Sequence, residues 1–226
     1  NFKNISILRN DKNMRPAFSR NKGAKFSKFD YIFFLDSDTK ILNGSITNFL
    51  KKIEYYDAIV GIYDYKPLNN NTFAYHKAFL DYFYSKQNND YNFSIFHAAC
   101  AGIKKEVFNF LGGFNENIKW GMDYENEEFG NRIVNNNYKL IVSSKTMASH
   151  HFPDALNGIK LYFFRVSNWL VYYFNSKKTL DTKTATSPLV AFACLSCSAS
   201  SFLLLFFLLV QSFYIKIFSL FFFIIY

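Results

Sequence analysis

Apolar and polar positions alternate along the first two thirds of the chain with two different periods. Tyr31-Ile-Phe-Phe-Leu35 is a continuous apolar run, the pattern of a strand buried on both faces between helix layers. Before it, Pro16 suits a first helical turn, and Ala17, Phe18, Ala24 and Phe26 supply the contacts of a helix over 17–26. After it, Ile46, Phe49, Leu50 and Ile53 recur at helical spacing behind a cap at Asn43 or Ser45. Asp57–Tyr63 reads as a second strand and Phe73–Tyr84 as an aromatic-rich helix. Lys104–Leu111 is a short helix closed by Gly112-Gly113. From Glu125 onward Phe129, Ile133 and Val134 form a helical stripe, with Glu128 and Arg132 spaced to pair on its surface. Lys139–Ser143 returns as a strand, and a looser alternation over Asn4–Leu8 predicts a short one at the start. Strands alternating with helices predict an α/β fold built on a mostly parallel sheet flanked by helices.

The last third has another texture. Residues 157–174 mix Leu161, Tyr162, Phe163, Phe164, Trp169, Leu170, Tyr172 and Tyr173 with Lys160 and Arg165, which suits a helix lying in a lipid headgroup layer. No charged residue occurs from Thr184 to Ile215, and Pro188–Val210 meets the length of about 20 apolar residues that a membrane span requires. A second span is expected from Phe213. The predicted organisation is a catalytic-size domain over 1–153, an amphipathic juxtamembrane segment over 154–183 and a transmembrane region over 184–226. Lys177, Lys178 and Lys183 flank the first span, so the preceding domain is expected on the cytoplasmic side, at the inner membrane if the host is bacterial.

Charge narrows the partners. The formal net charge is +9, and the first 28 residues hold eight Lys or Arg against one Asp. A basic end suits nucleic acid, an anionic membrane or a phosphate-bearing substrate. No helix-turn-helix, metal-finger spacing or RNA-binding motif is present, so nucleic acid is not expected as a partner. Cys194 and Cys197 form a C-x-x-C without a second pair nearby, and with Cys100 they make no disulfide framework.

The candidate chemistry sits where the apolar run stops. Asp36 and Asp38 follow the strand directly, at the sheet edge where open α/β sheets bind ligands. Side chains two apart on extended backbone point the same way, so both acids are placed to share a hard cation, Mg²⁺ or Mn²⁺, with a substrate phosphate. A solvated acidic turn is the competing reading of an isolated Asp-x-Asp.

Ser19-Arg-Asn-Lys-Gly23, followed by the strand ending in Asp36-Ser-Asp38, resembles the family 2 glycosyltransferases of GT-A type. A second block agrees: Ala101-Gly-Ile-Lys-Lys-Glu-Val-Phe108, Gly112-Gly-Phe-Asn-Glu116, Trp120-Gly and Glu125-Asn-Glu-Glu-Phe-Gly130. The likeness covers roughly residues 5 to 152, with several motifs in register. It implies a GT-A fold and an inverting, metal-dependent transfer from a nucleotide-sugar donor to a lipid-linked or polysaccharide acceptor at the membrane. It further implies donor contacts at Arg20, Asp36 and Asp38, a metal held by Asp36, Asp38 and His150 (or, in its place, His151), and an acceptor pocket bordered by Ala101, Gly102 and Trp120. The family places its general base in a Glu-Asp pair, which here reads Glu125-Asn126. An amide cannot take the proton, so Glu125 leads as the expected base, followed by Asp123 and then Glu128. The family's first strand and base-binding turn are missing, which predicts a fragment of a longer protein. A catalytically inactive relative, serving in sugar-nucleotide or partner binding, is the alternative that Asn126 keeps open.

Overall fold

The computed structural model describes residues 4–118 and 124–161, together with isolated positions at 196, 199, 200, 202, 203, 206, 220 and 221. The chain divides into two units, Asn1–Tyr172 and Tyr173–Tyr226. In the first, the order is α1 (Arg15–Phe26), β1 (Tyr31–Leu35), β2 (Thr39–Ile41), α2 (Ser45–Ile53), β3 (Ala58–Tyr63), α3 (Thr72–Ser85), β4 (Tyr91–Asn92), β5 (Cys100–Lys104), α4 (Lys105–Phe110), α5 (Tyr124–Asn135) and β6 (Leu140–His150). A further helix covers residues 155–161.

The strands form one sheet in the order β1-β5-β3-β6-β2, with β4 also pairing β6. It is a mixed sheet rather than the mostly parallel one expected. Only β3 and β6 pair in parallel, and the other ladders are antiparallel. The cause is β5, which inserts antiparallel between β1 and β3. Those two strands therefore share a direction without touching, and β6 shares it with them. β5 fits because it is small: a Cβ on Gly102 would fall within the Phe49 ring, and one on Gly61 of β3 would lie 2.6 Å from the Cys100 Sγ and from the Thr146 carbonyl.

Alternating side chains give the sheet two covered faces. Ile32, Phe34, Ala58, Val60 and Val142 face α1, α4 and α5 in one cluster, while Phe33, Ile59 and Ile141 meet Phe49 and Ile53 of α2 in another. The first cluster is centred on the rings of Phe34, Phe96, Phe108, Phe114 and Phe129, whose closest pair, Phe114 and Phe129, is 4.7 Å apart. Burying five such rings supplies much of the driving force for the fold, at roughly 1.5–3 kcal/mol each.

Three local expectations change. β6 runs seven residues past Ser143 because Ser143 and Thr146, though polar, are buried, and the Asn48 side chain donates to both hydroxyls at 3.0 and 2.8 Å. The N-terminus of α2 is Gly44 in the left-handed region rather than a side-chain cap, and the Ser45 hydroxyl instead exchanges hydrogen bonds with the Met147 backbone. Asn4–Leu8 is not a strand, and Ile5 and Ile7 are exposed.

No helix among the described residues is long and apolar enough to cross a membrane. Apart from the isolated positions named above, the expected spans over 188–210 and from 213 fall outside the described residues, as does the amphipathic stretch beyond residue 161.

Candidate active site

β1, β3 and β6 end on the same edge of the sheet, so their shared direction brings Asp36, Tyr63 and His150 to one side. Asp36 and Asp38 do not lie on extended backbone. The chain turns at once after β1, with the Thr39 N–H donating to the Asp36 carbonyl at 3.1 Å and the Thr39 hydroxyl to the same oxygen at 2.7 Å. The two carboxylates have different contact partners. Asp36 turns to Arg20, whose Nη2 donates to both its oxygens at 2.9 and 3.2 Å. Asp38 turns to His150, with Oδ2 and Nε2 3.5 Å apart.

Arg20 is the hub. Its other terminal nitrogen donates to Glu125 Oε1 at 3.1 Å, and its guanidinium lies 5.6 Å from the centre of the Phe114 ring. The side chains of Arg20 and Glu125 are 13% and 10% exposed, so this contact is shielded from water and stronger than a surface pair. Phe114 is held in turn by Asn21: its Oδ1 accepts from the Phe114 N–H at 2.8 Å, and its Nδ2 donates to the Phe114 carbonyl and to Glu116. Asn21 was not singled out as a site residue, although it belongs to the Ser19–Gly23 motif. Its role becomes visible only once α1 lies against the Gly112–Glu116 turn, whose glycines both have positive φ, 76° and 69°.

Asn126 faces away from this cluster. Its Oδ1 accepts from the Ala98 N–H at 3.4 Å, its own carbonyl accepts from Phe96, and the residue is buried. Glu128 is a clamp: it pairs with Arg132 at 2.6 Å, and the same guanidinium donates to the Leu111 and Gly113 carbonyls. Ala101 and Gly102, expected beside an acceptor, lie buried within β5, where the Phe49 ring fills the space left by Gly102. Trp120 and Asp123 lie outside the described residues.

His150 is enclosed by aromatic rings, 4.7 Å from Tyr63 and 4.5 Å from Phe152. That burial lowers its pKa below the ordinary histidine value, against the opposing pull of Asp38 and Asp36. Its Nδ1 is buried without a hydrogen-bond partner. His151 is exposed and contributes its backbone N–H to the Asp38 carbonyl at 2.8 Å.

Among the described residues no three His, Cys, Asp or Glu side chains converge as a metal-binding group. The expected trio of Asp36, Asp38 and His150 is divided by the Arg20 contact. What fits a divalent cation is the pair of Asp38, whose carboxylate is 52% exposed, and His150. One carboxylate and one imidazole suit an ion that draws the rest of its shell from phosphate oxygens and water.

Residues 1–112 match the family model described as glycosyl transferase family 2. Over this segment the chain belongs to glycosyl transferase family 2. The solved structures agree in fold. A mannosyltransferase from Pyrobaculum calidifontis, PcManGT, in complex with GDP-Man and Mn²⁺, matches with a TM-score of 0.55 at 14% identity, over 77% of this chain and 47% of its own. GalNAc-T7 with UDP, GalNAc and Mn²⁺ matches with a TM-score of 0.51 at 15% identity, over 66% of this chain and 32% of its own. The chain thus spans 32% to 47% of the length of these two proteins. No curated protein matches it.

Proposed function

We propose that this family 2 domain is an inverting, metal-dependent glycosyltransferase that moves a sugar from a nucleotide donor to a lipid-linked or polysaccharide acceptor at a membrane surface. The observation that carries the reading is the Arg20 hub, which joins the acid after β1 to the acid at the start of α5 on the ligand-binding edge of the sheet. The donor neighbours named above, solved with Mn²⁺ and with UDP or GDP-Man, support a nucleotide-sugar donor.

In this reading Asp38, with His150 behind it, would hold Mg²⁺ or Mn²⁺ against the donor diphosphate. When bound, the ion offsets the charge that develops on the departing diphosphate. Arg20 orients the Glu125 carboxylate and sets its distance from the donor side. Glu125 takes the proton of the acceptor hydroxyl as that oxygen attacks the anomeric carbon, and the bond to the diphosphate breaks on the opposite face. Attack from the face opposite the leaving group inverts the anomeric centre. Asp123, outside the described residues, is the second choice for this role.

The charge-free segment over 184–215 supports the membrane part of the reading, with the catalytic domain cytoplasmic. A non-catalytic, sugar-nucleotide-binding role is the second reading, and one observation favours it: the position of the family's acid is Asn126, buried in a structural contact. Hydrolysis of radiolabelled nucleotide-sugars with Mn²⁺ separates the two. Donor binding without turnover on any nucleotide-sugar would leave the non-catalytic reading. A reporter fused after Lys183 should read cytoplasmic and one at Gln211 the far side; both on one side would remove the predicted span.

A further inference from the structure

α3 is polarised the wrong way round for a helix on a water-facing surface. Its inward side is small, Ala74 and Ala78 packing on Tyr63 and Phe152. The opposite side carries Tyr75, Phe79 and Phe83, with Phe79 and Phe83 57% and 66% exposed and their rings stacked 6.2 Å apart. Tyr84 extends the exposed aromatic surface, and the charges of Lys77 and Asp81 pair with each other. Soluble helices show the reverse arrangement, and a contiguous exposed aromatic face marks an interaction surface.

A second apolar surface lies beside it. The helix over 155–161 rests on the first turn of α3, where a Cβ on Gly158 would come 2.6 Å from the Phe73 ring. It exposes Leu156, Ile159 and Lys160. The sequence then passes directly into Tyr162-Phe-Phe-Arg165 and, beyond Lys183, into the charge-free segment. The second surface is the last described stretch before the most apolar part of the sequence. This continuity, together with Tyr and Lys among the Phe, Leu and Ile side chains, matches a lipid interface, in which aromatic and basic residues occupy the headgroup level.

We propose that the outward aromatic face of α3, with Leu156 and Ile159 beside it, rests in the headgroup layer of a lipid bilayer. The inference rests on the membrane part of the reading above and not on the transfer chemistry. It adds which face of the catalytic domain meets lipid. The inward side of α3 lies one layer of side chains from the candidate site, since Tyr63 and Phe152 contact Ala74 and Ala78 on one side and His150 on the other. A lipid-borne acceptor would then arrive at the site without leaving the membrane surface.

The test uses the full chain in vesicles of phosphatidylcholine and phosphatidylglycerol, with Cys194 and Cys197 replaced by alanine. Single cysteines at Phe79, at Phe83 and, as a control, at the exposed Tyr55 after α2 carry an environment-sensitive fluorophore. Neither Phe79 nor Phe83 belongs to a buried cluster, so these variants are expected to fold. The expected result is several-fold stronger quenching by nitroxide-bearing lipid at positions 79 and 83 than at 55, with matching protection from aqueous iodide. Equal iodide quenching at all three positions would overturn the proposal. Protection from iodide without nitroxide quenching would also overturn it, because a second copy or another protein segment would then cover the face. Mn²⁺-dependent nucleotide binding, measured on the same samples, reads the transfer chemistry separately: its loss with lipid quenching retained sinks that chemistry alone.

Discussion

Glu125 and Arg20 are 105 residues apart in sequence and 3.1 Å apart in the fold, in a contact from which water is largely excluded. It ties α1 to α5 across the edge of the sheet, and through Asp36 it reaches the end of β1 as well. An arginine shared by two carboxylates is a geometric device: one planar fork fixes the directions of both acids. Loss of the fork leaves Glu125 uncompensated in a poorly hydrated place and Asp36 without its partner.

Arg20→Met should therefore lower stability by about 2 kcal/mol, less than for a fully buried pair because Asp36 keeps access to water. Arg20→Lys should recover only part of it, since an ammonium cannot serve both acids in the same plane. Thermal unfolding of the single variants and of the double variant with Glu125→Gln tests the coupling. Additive effects would show that the contact carries no energy.

Metal dependence should follow Asp38 rather than the acid pair. Asp38 faces outward beside His150, while Asp36 is engaged by Arg20. Asp38→Asn should abolish Mn²⁺-dependent nucleotide binding in calorimetry while the unfolding transition stays in place. Unchanged Mn²⁺-nucleotide affinity in that variant would remove Asp38 from the site. Asp36→Asn should instead weaken nucleotide binding and shift the unfolding transition together, because it also releases one arm of Arg20.

The elements visible in the sequence were those whose signal is local. The apolar run of β1, the helical spacing in α5, the Glu128–Arg132 pair and the two glycines ending α4 each follow from neighbours a few residues apart. What stayed hidden depends on partners far along the chain. The close packing of β5 depends on Phe49 filling the space at Gly102, and the length of β6 on Asn48 supplying donors to two buried hydroxyls. The different partners of Asp36 and Asp38 have the same origin, since a turn held by Thr39 follows β1 and each acid meets a cation or imidazole distant in sequence. The motif residues could be found from the sequence; the division of labour among them could not.

Cys100 gives a prediction about pH. Burial pushes its thiol from the ordinary 9.0 up to about 12. A group whose folded pKa lies above its unfolded value holds its proton longer in the fold, so stability falls as pH rises above 9.0 and the loss is complete near 12. With Cys194 and Cys197 replaced by alanine, the native protein should resist thiol-specific reagents near neutral pH and react on addition of denaturant. Prompt reaction of the folded protein would mean that the sheet opens at β5 without global unfolding.

The assignment of the base turns on two adjacent residues that face different ways. Glu125 points to Arg20 at the site edge, whereas Asn126 turns inward to the Ala98 N–H. Glu125→Gln keeps the shape and one acceptor oxygen but cannot take a proton, so turnover should fall by a factor on the order of a hundred, with donor affinity little changed. Asp123→Asn should do much less. Restoring the family's acid with Asn126→Asp should not raise turnover. It would bury a carboxylate where an amide now fits, and the measurable consequence should be a lower unfolding temperature. Steady-state kinetics and thermal unfolding of the three variants decide among the candidates. Faster turnover by Asn126→Asp, together with a mild effect of Glu125→Gln, would move the base to position 126 and leave Glu125 as an anchor for Arg20.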